Sequence, residues 1–438
     1  MRITLIGAGS HVFAPGLVTD LILEHRVPDV HLAVVDVDQA AADLLAAYAR
    51  RLAADTGLVM TVSAHTNRAE ALPGSDAVVV CAAVQGRKRA QMDVEVLRAH
   101  GLADQARECG GLGGLIYSCR SIALILDICS DMRRLCPNAW LLDVTNPMPR
   151  VVTAAVRHGG VRAMGFCNAA WGGATGYVAI GKALGRDHRE LKIVTGGINH
   201  FAWAASVRDH AGTDLLPEIT ARIQAGATAF GDPRLVLRWI ERYGSIPVSG
   251  ANHQGEHQPS EPELSFGEDA FHGDGTERMV QIRDMQAIIA GTLNWRVQRP
   301  PTAWEHPLTA FMALSLGGDA DIDMVNLPND GHLPQLPSER VIEAPIQIRG
   351  GKMIPATPLV LPEATAAVCR AASDVIELVA YGAAVGDREA LHAALRCDPA
   401  VTDVERAIPV LDLLLTIHAD VLPAFKNASR PSTLSCQS

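Results

Sequence analysis

The chain lacks an excess of basic residues, a long uninterrupted apolar run, a Cys-x-x-Cys pair and an internal repeat. Its 38 Lys and Arg against 48 Asp and Glu leave a net charge of −10. No basic face is therefore on offer to a nucleic acid. A membrane span needs about 20 consecutive apolar residues, and no run approaches that. Nine cysteines, an odd number with no Cys-x-x-Cys spacing, read as reduced thiols of a cytoplasmic protein and not as a disulfide framework. The first residues hold one Arg and then a strand broken by glycine, which is not the pattern of a signal peptide. At 438 residues there is room for two or three domains.

What is present begins with a strand over residues 3–6 that runs into Gly7-Ala8-Gly9-Ser10, with a helical pattern over 14–24. Strand, glycine turn and helix together lay a pyrophosphate on a helix N-terminus. Gly7 makes the tight turn and Gly9 lets the backbone approach the phosphates; Val12 stands where the usual third glycine would be. A second strand, 30–35, ends in Asp36. A carboxylate there accepts hydrogen bonds from ribose hydroxyls and repels a 2′-phosphate, so NAD is favoured over NADP. The plainer alternative is an ordinary αβ unit with Asp36 as a helix cap.

Residues 58–64 and 76–82 read as the third and fourth strands, and 85–114 as a charged, glycine-rich loop. A helix over 117–135 and a strand over 140–144 lead to Thr145-Asn146-Pro147, and a further strand ends at Cys167. The pattern predicts an α/β fold. A Rossmann-like doubly wound parallel sheet fills residues 1–195, an α+β domain fills 196–425, and 426–438 form a loose tail. In the second half, 192–195 read as a strand, 244–271 as a polar loop, 277–293 as a helix, 326–358 as extended, and about 362–422 as helices.

Asn146, pinned by Pro147 just past a strand end, sits where the nicotinamide of a dinucleotide would lie, so it suits a cofactor or a substrate hydroxyl. Thr-Asn-Pro is also a routine turn. Cys167 follows the next strand, and His200 ends another strand-like segment. A Cys and a His at one sheet edge make either a metal site or a nucleophile–base pair; taken singly, a buried thiol and a core histidine are the plain readings.

Together these pieces resemble glycoside hydrolase family 4, the NAD-dependent glycosidases. The resemblance runs over nearly the full length. It covers Gly7-Ala8-Gly9-Ser10, Asp93-Val94-Glu95 with His100-Gly101, Gly113-Gly114 with Arg120, and Thr145-Asn146-Pro147. It continues through Gly165-Phe166-Cys167, Gly197-Ile198-Asn199-His200, Val325-Asn326-Leu327-Pro328-Asn329, Leu336-Pro337, Glu343-Ala344-Pro345, Gly386-Asp387 and Asp398-Pro399. It implies a lactate/malate dehydrogenase-like fold, a homodimer or homotetramer, and an oxidation–elimination route. NAD takes hydride from C3 of a small glycoside, a base removes the C2 proton beside a divalent metal such as Mn²⁺, the leaving group departs and water adds. By the same resemblance Cys167 and His200 hold the metal, Asn146 and Asn199 position substrate, and Arg120 supports the sugar or cofactor pocket.

The chain departs from the family at four places. Asn168 follows the metal Cys, where the phospho-sugar enzymes often place Asp, or Asn in the β-specific group, and the enzymes of unphosphorylated α-glycosides usually place His, so it fits neither group cleanly; it remains a substrate-binding candidate but cannot donate a catalytic proton. Ala90 replaces an arginine of the phospho-sugar enzymes, which favours an unphosphorylated substrate. Glu108-Cys109-Gly110-Gly111-Leu112 replaces Asp-Thr-x-Gly-Pro. In the usual base loop, Asp-x-His-x-x-Glu-Tyr, residue 251 is Ala and residue 257 is His. His257, His253 and Glu256 are the catalytic candidates left there, and His257 suits a base if its pKa lies near 7; the equal alternative is that the loop binds substrate and the base lies elsewhere, Tyr243 being the nearest tyrosine. Rival readings are a dehydrogenase of a hydroxy acid or sugar, a 6-phospho-glycosidase of the same family, and an NAD-binding sensor that has lost its base.

Overall fold

A computed structural model of the chain describes residues 1–167, 169, 176–228, 231–267, 275–298, 300, 306–354 and 357–426. Asn168 and the tail beyond 426 lie outside the described residues.

Six parallel strands form the N-terminal half of one sheet: β1 (Arg2–Ile6), β2 (Val30–Val35), β3 (Met60–His65), β4 (Ala77–Val80), β5 (Trp140–Asp143) and β6 (Arg162–Gly165), in spatial order 3-2-1-4-5-6. This is the doubly wound order the alternation predicts. β4 is buried at every residue, as a parallel strand covered on both faces must be. Local chemistry sets the helix ends. Asp38 caps the helix Gln39–Thr56 by accepting from the Ala40 N–H at 2.9 Å, and Gly57 stops it at φ +69°.

The sheet does not stop near residue 195. β7 (Lys192–Ile198), β8 (Phe201–Arg208), β9 (Ala320–Pro328), β10 (Val341–Arg349) and β11 (Lys352–Met353) extend it, β9 joining β6 antiparallel at Gly165 and Asn326. The last helices, Glu363–Val385, Arg388–Cys397 and Val404–Ile417, share a core with Gly111–Leu135 of the first half. The two halves therefore share both a sheet and a core.

One expectation needs correction. Residues 85–114 are not a loop: a helix spans Gly86–Ala99, with Arg89, Ala90, Asp93 and Leu97 on its buried face. Two of those four are charged, so the apolar stripe that marks a helix is broken in the sequence. Helix Gly111–Leu135 is, by length and composition, apolar enough to cross a membrane, but 72% of its apolar window is buried inside the fold. Its apolarity serves the shared core.

Candidate active site

Because β1, β4, β5 and β6 are parallel neighbours, their C-terminal ends bring Gly7, Ala82, Asn146 and Cys167 to one edge of the sheet. Gly7 has φ +104°, and a Cβ there would lie 2.8 Å from the Ala82 nitrogen, so only glycine fits. The Gly9 N–H donates to Asp36 Oδ2 at 2.7 Å and the Asp38 N–H to Asp36 Oδ1 at 3.0 Å. Asp36 thus spans the glycine turn and the end of β2, where the ribose of a dinucleotide lies. Ser10 closes the turn, its N–H donating to the Gly7 carbonyl at 2.9 Å. The cradle fits a dinucleotide: a glycine with no room for a Cβ, then a carboxylate.

The β7–β8 hairpin carries His200 to the same edge. Its Nε2 lies 3.6 Å from Cys167 Sγ, a separation that two donors of one divalent ion adopt at bond lengths of about 2.0–2.4 Å. The sheet therefore brings the predicted metal pair together. On the other side of the ring, His200 Nδ1 is 3.8 Å from Glu256 Oε2, and His253 Nδ1 is 3.3 Å from Glu256 Oε1. The two imidazole centroids are 4.1 Å apart. Glu108, His200, His253 and Glu256 each offer a ligand atom within 4.8 Å of the others, a donor set suited to a divalent cation. Glu108 Oε1 also accepts from Asn146 Nδ2 at 2.9 Å, which ties Asn146 to this cluster and leaves its Oδ1 buried without a partner.

Burial pushes the Glu256 carboxyl up, but the neighbouring His200 and His253 imidazoles outweigh it and hold the group below the usual carboxylate range. Burial likewise pulls His253 down, and Glu256 more than offsets that, leaving the imidazole above its ordinary value. His257 behaves oppositely. It packs against the Phe201 ring, its Nε2 has no partner, and burial pushes it down to about 3. The condition under which His257 suits a base, a pKa near 7, is not met, because the ring is desolvated without a carboxylate in contact.

A sign follows for stability. A histidine at about 6.5 unfolded and about 3 folded stabilises the protein above pH 6.5, and that contribution is lost as pH falls from 6.5 toward 3. Taking the protein from pH 7 to pH 5 should cost about 2 kcal/mol through this residue. Denaturant melts of the wild type and His257→Leu at both pH values should show the variant losing less stability by that amount; equal losses would contradict it.

Sequence reasoning missed the clamp on this loop. Arg107, 1% exposed, donates through Nη1 to the carbonyls of Gly255, Glu256 and Gln258 at 2.9, 3.1 and 2.6 Å. The Cys109 N–H donates to Glu256 Oε2 at 2.7 Å. One buried guanidinium thus fixes the 255–258 backbone against the 107–110 turn. No local signal in the sequence pairs segments this far apart. Arg120 takes a different place from the one expected: both terminal nitrogens bind Asp93, at 2.5 and 3.2 Å, and His418 Nε2 lies 2.6 Å from the same carboxylate. Its hydrogen bonds tie helices Gly111–Leu135 and Gly86–Ala99 together and do not reach the site. Asn199 is buried, with Nδ2 donating to Glu343 Oε1 at 2.8 Å and Oδ1 lacking a partner.

Comparison with known proteins bears on the chain as a whole. Residues 2–181 match the family 4 glycosyl hydrolase model, and residues 195–401 match the model of the family 4 C-terminal domain. An α-galactosidase of Bacillus subtilis strain 168 is 26% identical over 441 residues, covering 97% of this chain and 100% of that protein. An α-galactosidase of Rhizobium meliloti strain 1021 is also 26% identical, over 98% of this chain and 90% of its own. The fold is shared with a 6-phospho-α-glucosidase from gut microorganisms solved in complex with NAD and Mn²⁺: TM-score 0.76, 18% identity, 97% of this chain and 99% of that one. With its two halves matched in sequence by the two models of a single family, the chain belongs to the family 4 glycosyl hydrolases.

Proposed function

We propose that this protein is an NAD- and divalent-metal-dependent glycosidase acting on a small unphosphorylated α-glycoside. The observation that carries the proposal is the convergence of Cys167 and His200, 3.6 Å apart, on the sheet edge that also carries the Gly7–Asp36 cradle. When bound, NAD supplies a hydride acceptor for C3 of the sugar, and the divalent ion an electrophile for the charge that develops once the C2 proton leaves. Cys167 and His200 hold the ion. Asn146, kept in place by Glu108, and Asn199, kept in place by Glu343, position sugar hydroxyls through their open Oδ1 acceptors.

His253 is the base. Glu256 binds its Nδ1, which fixes the ring, raises its basicity and leaves Nε2 to take the C2 proton. The same carboxylate lies against Nδ1 of the metal-binding His200, so one group orients both the base and a ligand. An unphosphorylated substrate is supported by Ala90, buried on the helix Gly86–Ala99 where the phospho-sugar enzymes carry an arginine, and by the full-length likeness to two α-galactosidases.

A panel of α- and β-nitrophenyl glycosides and their 6-phosphates, assayed with NAD, Mn²⁺ and a reductant and with each omitted, tests this. Cleavage of an unphosphorylated α-glycoside that needs both cofactors, with no NADH accumulating, is the expected result. Stoichiometric NADH would make the protein a dehydrogenase. Cleavage of 6-phosphates alone would overturn the substrate half of the proposal, and silence across the panel would overturn the glycosidase reading.

A further inference from the structure

Four residues lie in one row across neighbouring strands: Gly165 of β6 pairs with Asn326 of β9, Asn326 with Glu343 of β10, and Glu343 with Gly197 of β7. Cys167 follows one end of that row by two residues, and His200 follows the other by three. The sequence singles out the segments containing Asn326 and Glu343 without giving either a task. From this placement we propose that Glu343 is a positioning residue for His200: its carboxylate, by accepting from Asn199 and Asn326, clamps the turn that presents the imidazole to Cys167. The inference rests on the reading of His200 as a metal ligand.

The turn needs an external hold. It consists of Asn199 and His200 alone, flanked by the paired Ile198 and Phe201. His200 has φ +64°, in the left-handed region that a residue with a Cβ disfavours and that this position of a two-residue turn normally gives to glycine or asparagine. A histidine held there is strained and relaxes toward negative φ unless its neighbours prevent it. Such a rotation would carry Nε2 away from Cys167.

Glu343 supplies the restraint from below. Its Oε1 accepts from Asn199 Nδ2 at 2.8 Å and from Asn326 Nδ2 at 3.0 Å. Asn199, Asn326 and Glu343 are all buried, so water cannot replace either bond. One oxygen therefore joins the residue before His200 to β9, the strand that pairs antiparallel with β6 at Gly165, two residues before Cys167. At one end of the row Gly165 lets Asn326 lie close: a Cβ there would approach the Asn326 Cβ to 3.1 Å.

The test compares Glu343→Ala, Glu343→Gln and Asn326→Ala with the wild type by amide hydrogen exchange over residues 198–202, Mn²⁺ affinity and NAD affinity. Glu343→Ala should speed exchange in the turn and weaken Mn²⁺ binding, each about tenfold or more, the size typical of lost support behind a metal ligand. NAD affinity, set at the Gly7 turn, should stay within about twofold and report that the fold is intact. Glu343→Gln keeps an oxygen that accepts from both amides, so it should restore most of both losses; a Gln variant as weak as Ala would overturn the clamp. Unchanged exchange and Mn²⁺ affinity in Glu343→Ala would overturn it equally. Should Glu343→Ala fail to bind NAD, Asn326→Ala, which removes only one strut, decides on the same two readouts. A wild type that binds no Mn²⁺ would remove the metal reading of the site, while the exchange data still decide whether Glu343 holds the turn.

Discussion

His200→Ala is expected to lower glycoside cleavage by about 10³-fold or more, with Mn²⁺ affinity falling in parallel and NAD affinity preserved. Removing a proton from C2 beside a ketone builds negative charge on oxygen, and a bound divalent ion is worth several kcal/mol to that charge; about 10³-fold corresponds to ~4 kcal/mol. The alanine removes Nε2, 3.6 Å from Cys167 Sγ, and leaves the Glu256 carboxylate buried opposite an empty position. Excess Mn²⁺ should restore little, because a thiolate alone is a poor ligand for a hard cation. Chelation of the wild type should abolish activity and Mn²⁺ should return it. Cys167→Ser, which exchanges a soft donor for a hard one, should lose less and gain resistance to oxidation. Kinetics with Mn²⁺ titration decide the matter: a chelated His200→Ala that retains wild-type turnover would remove the metal from the reaction.

Gly110→Ala should be the most damaging single-methyl change. Gly110 has an ordinary φ of −112°, so the objection is steric and not conformational. The added Cβ would lie 1.8 Å from the Glu256 carbonyl oxygen and 2.5 Å from its carbon, distances no non-bonded carbon tolerates. The 255–258 backbone must move by about 1 Å or more, a displacement that can cost on the order of 10² in rate when it misplaces a catalytic group. The Cys109–Glu256 hydrogen bond of 2.7 Å and the Arg107 clamp must give way with it, a loss of about 1–3 kcal/mol as in other overpacked sites. Gly318→Ala, whose Cβ meets the Ala313 Cα at an ordinary 3.6 Å, is the control and should change neither rate nor stability. A Gly110→Ala protein with wild-type kcat/KM and melting temperature would show that the loop is not held where the site requires it.

The dinucleotide cradle is legible in the chain because its parts are close together in sequence. Gly7, Gly9 and Asp36 belong to one strand–turn–helix–strand unit, and the alternation around them carries the order of β1 to β6. Cys167 and His200 are predictable as far as both end strands, yet nothing local says that β7 reaches β6 through β9 and β10. Nor does anything local say that helices 363–417, in the second half, pack against helix Gly111–Leu135 of the first.

Side-chain partners across long separations were beyond the sequence. Asp93 and Arg120 both stand in segments singled out beforehand, but only packing against His418 sets their roles. In the base loop, His253, Glu256 and His257 look alike as candidates. The fold separates them, because Glu256 reaches His253 and His200 whereas His257 is pressed against Phe201 with no carboxylate in contact. Periodicity, glycine and turn chemistry act over a few residues and so can be read along the chain. Desolvation and the pairing of buried charges depend on which distant segments share a volume, and only the tertiary structure decides that.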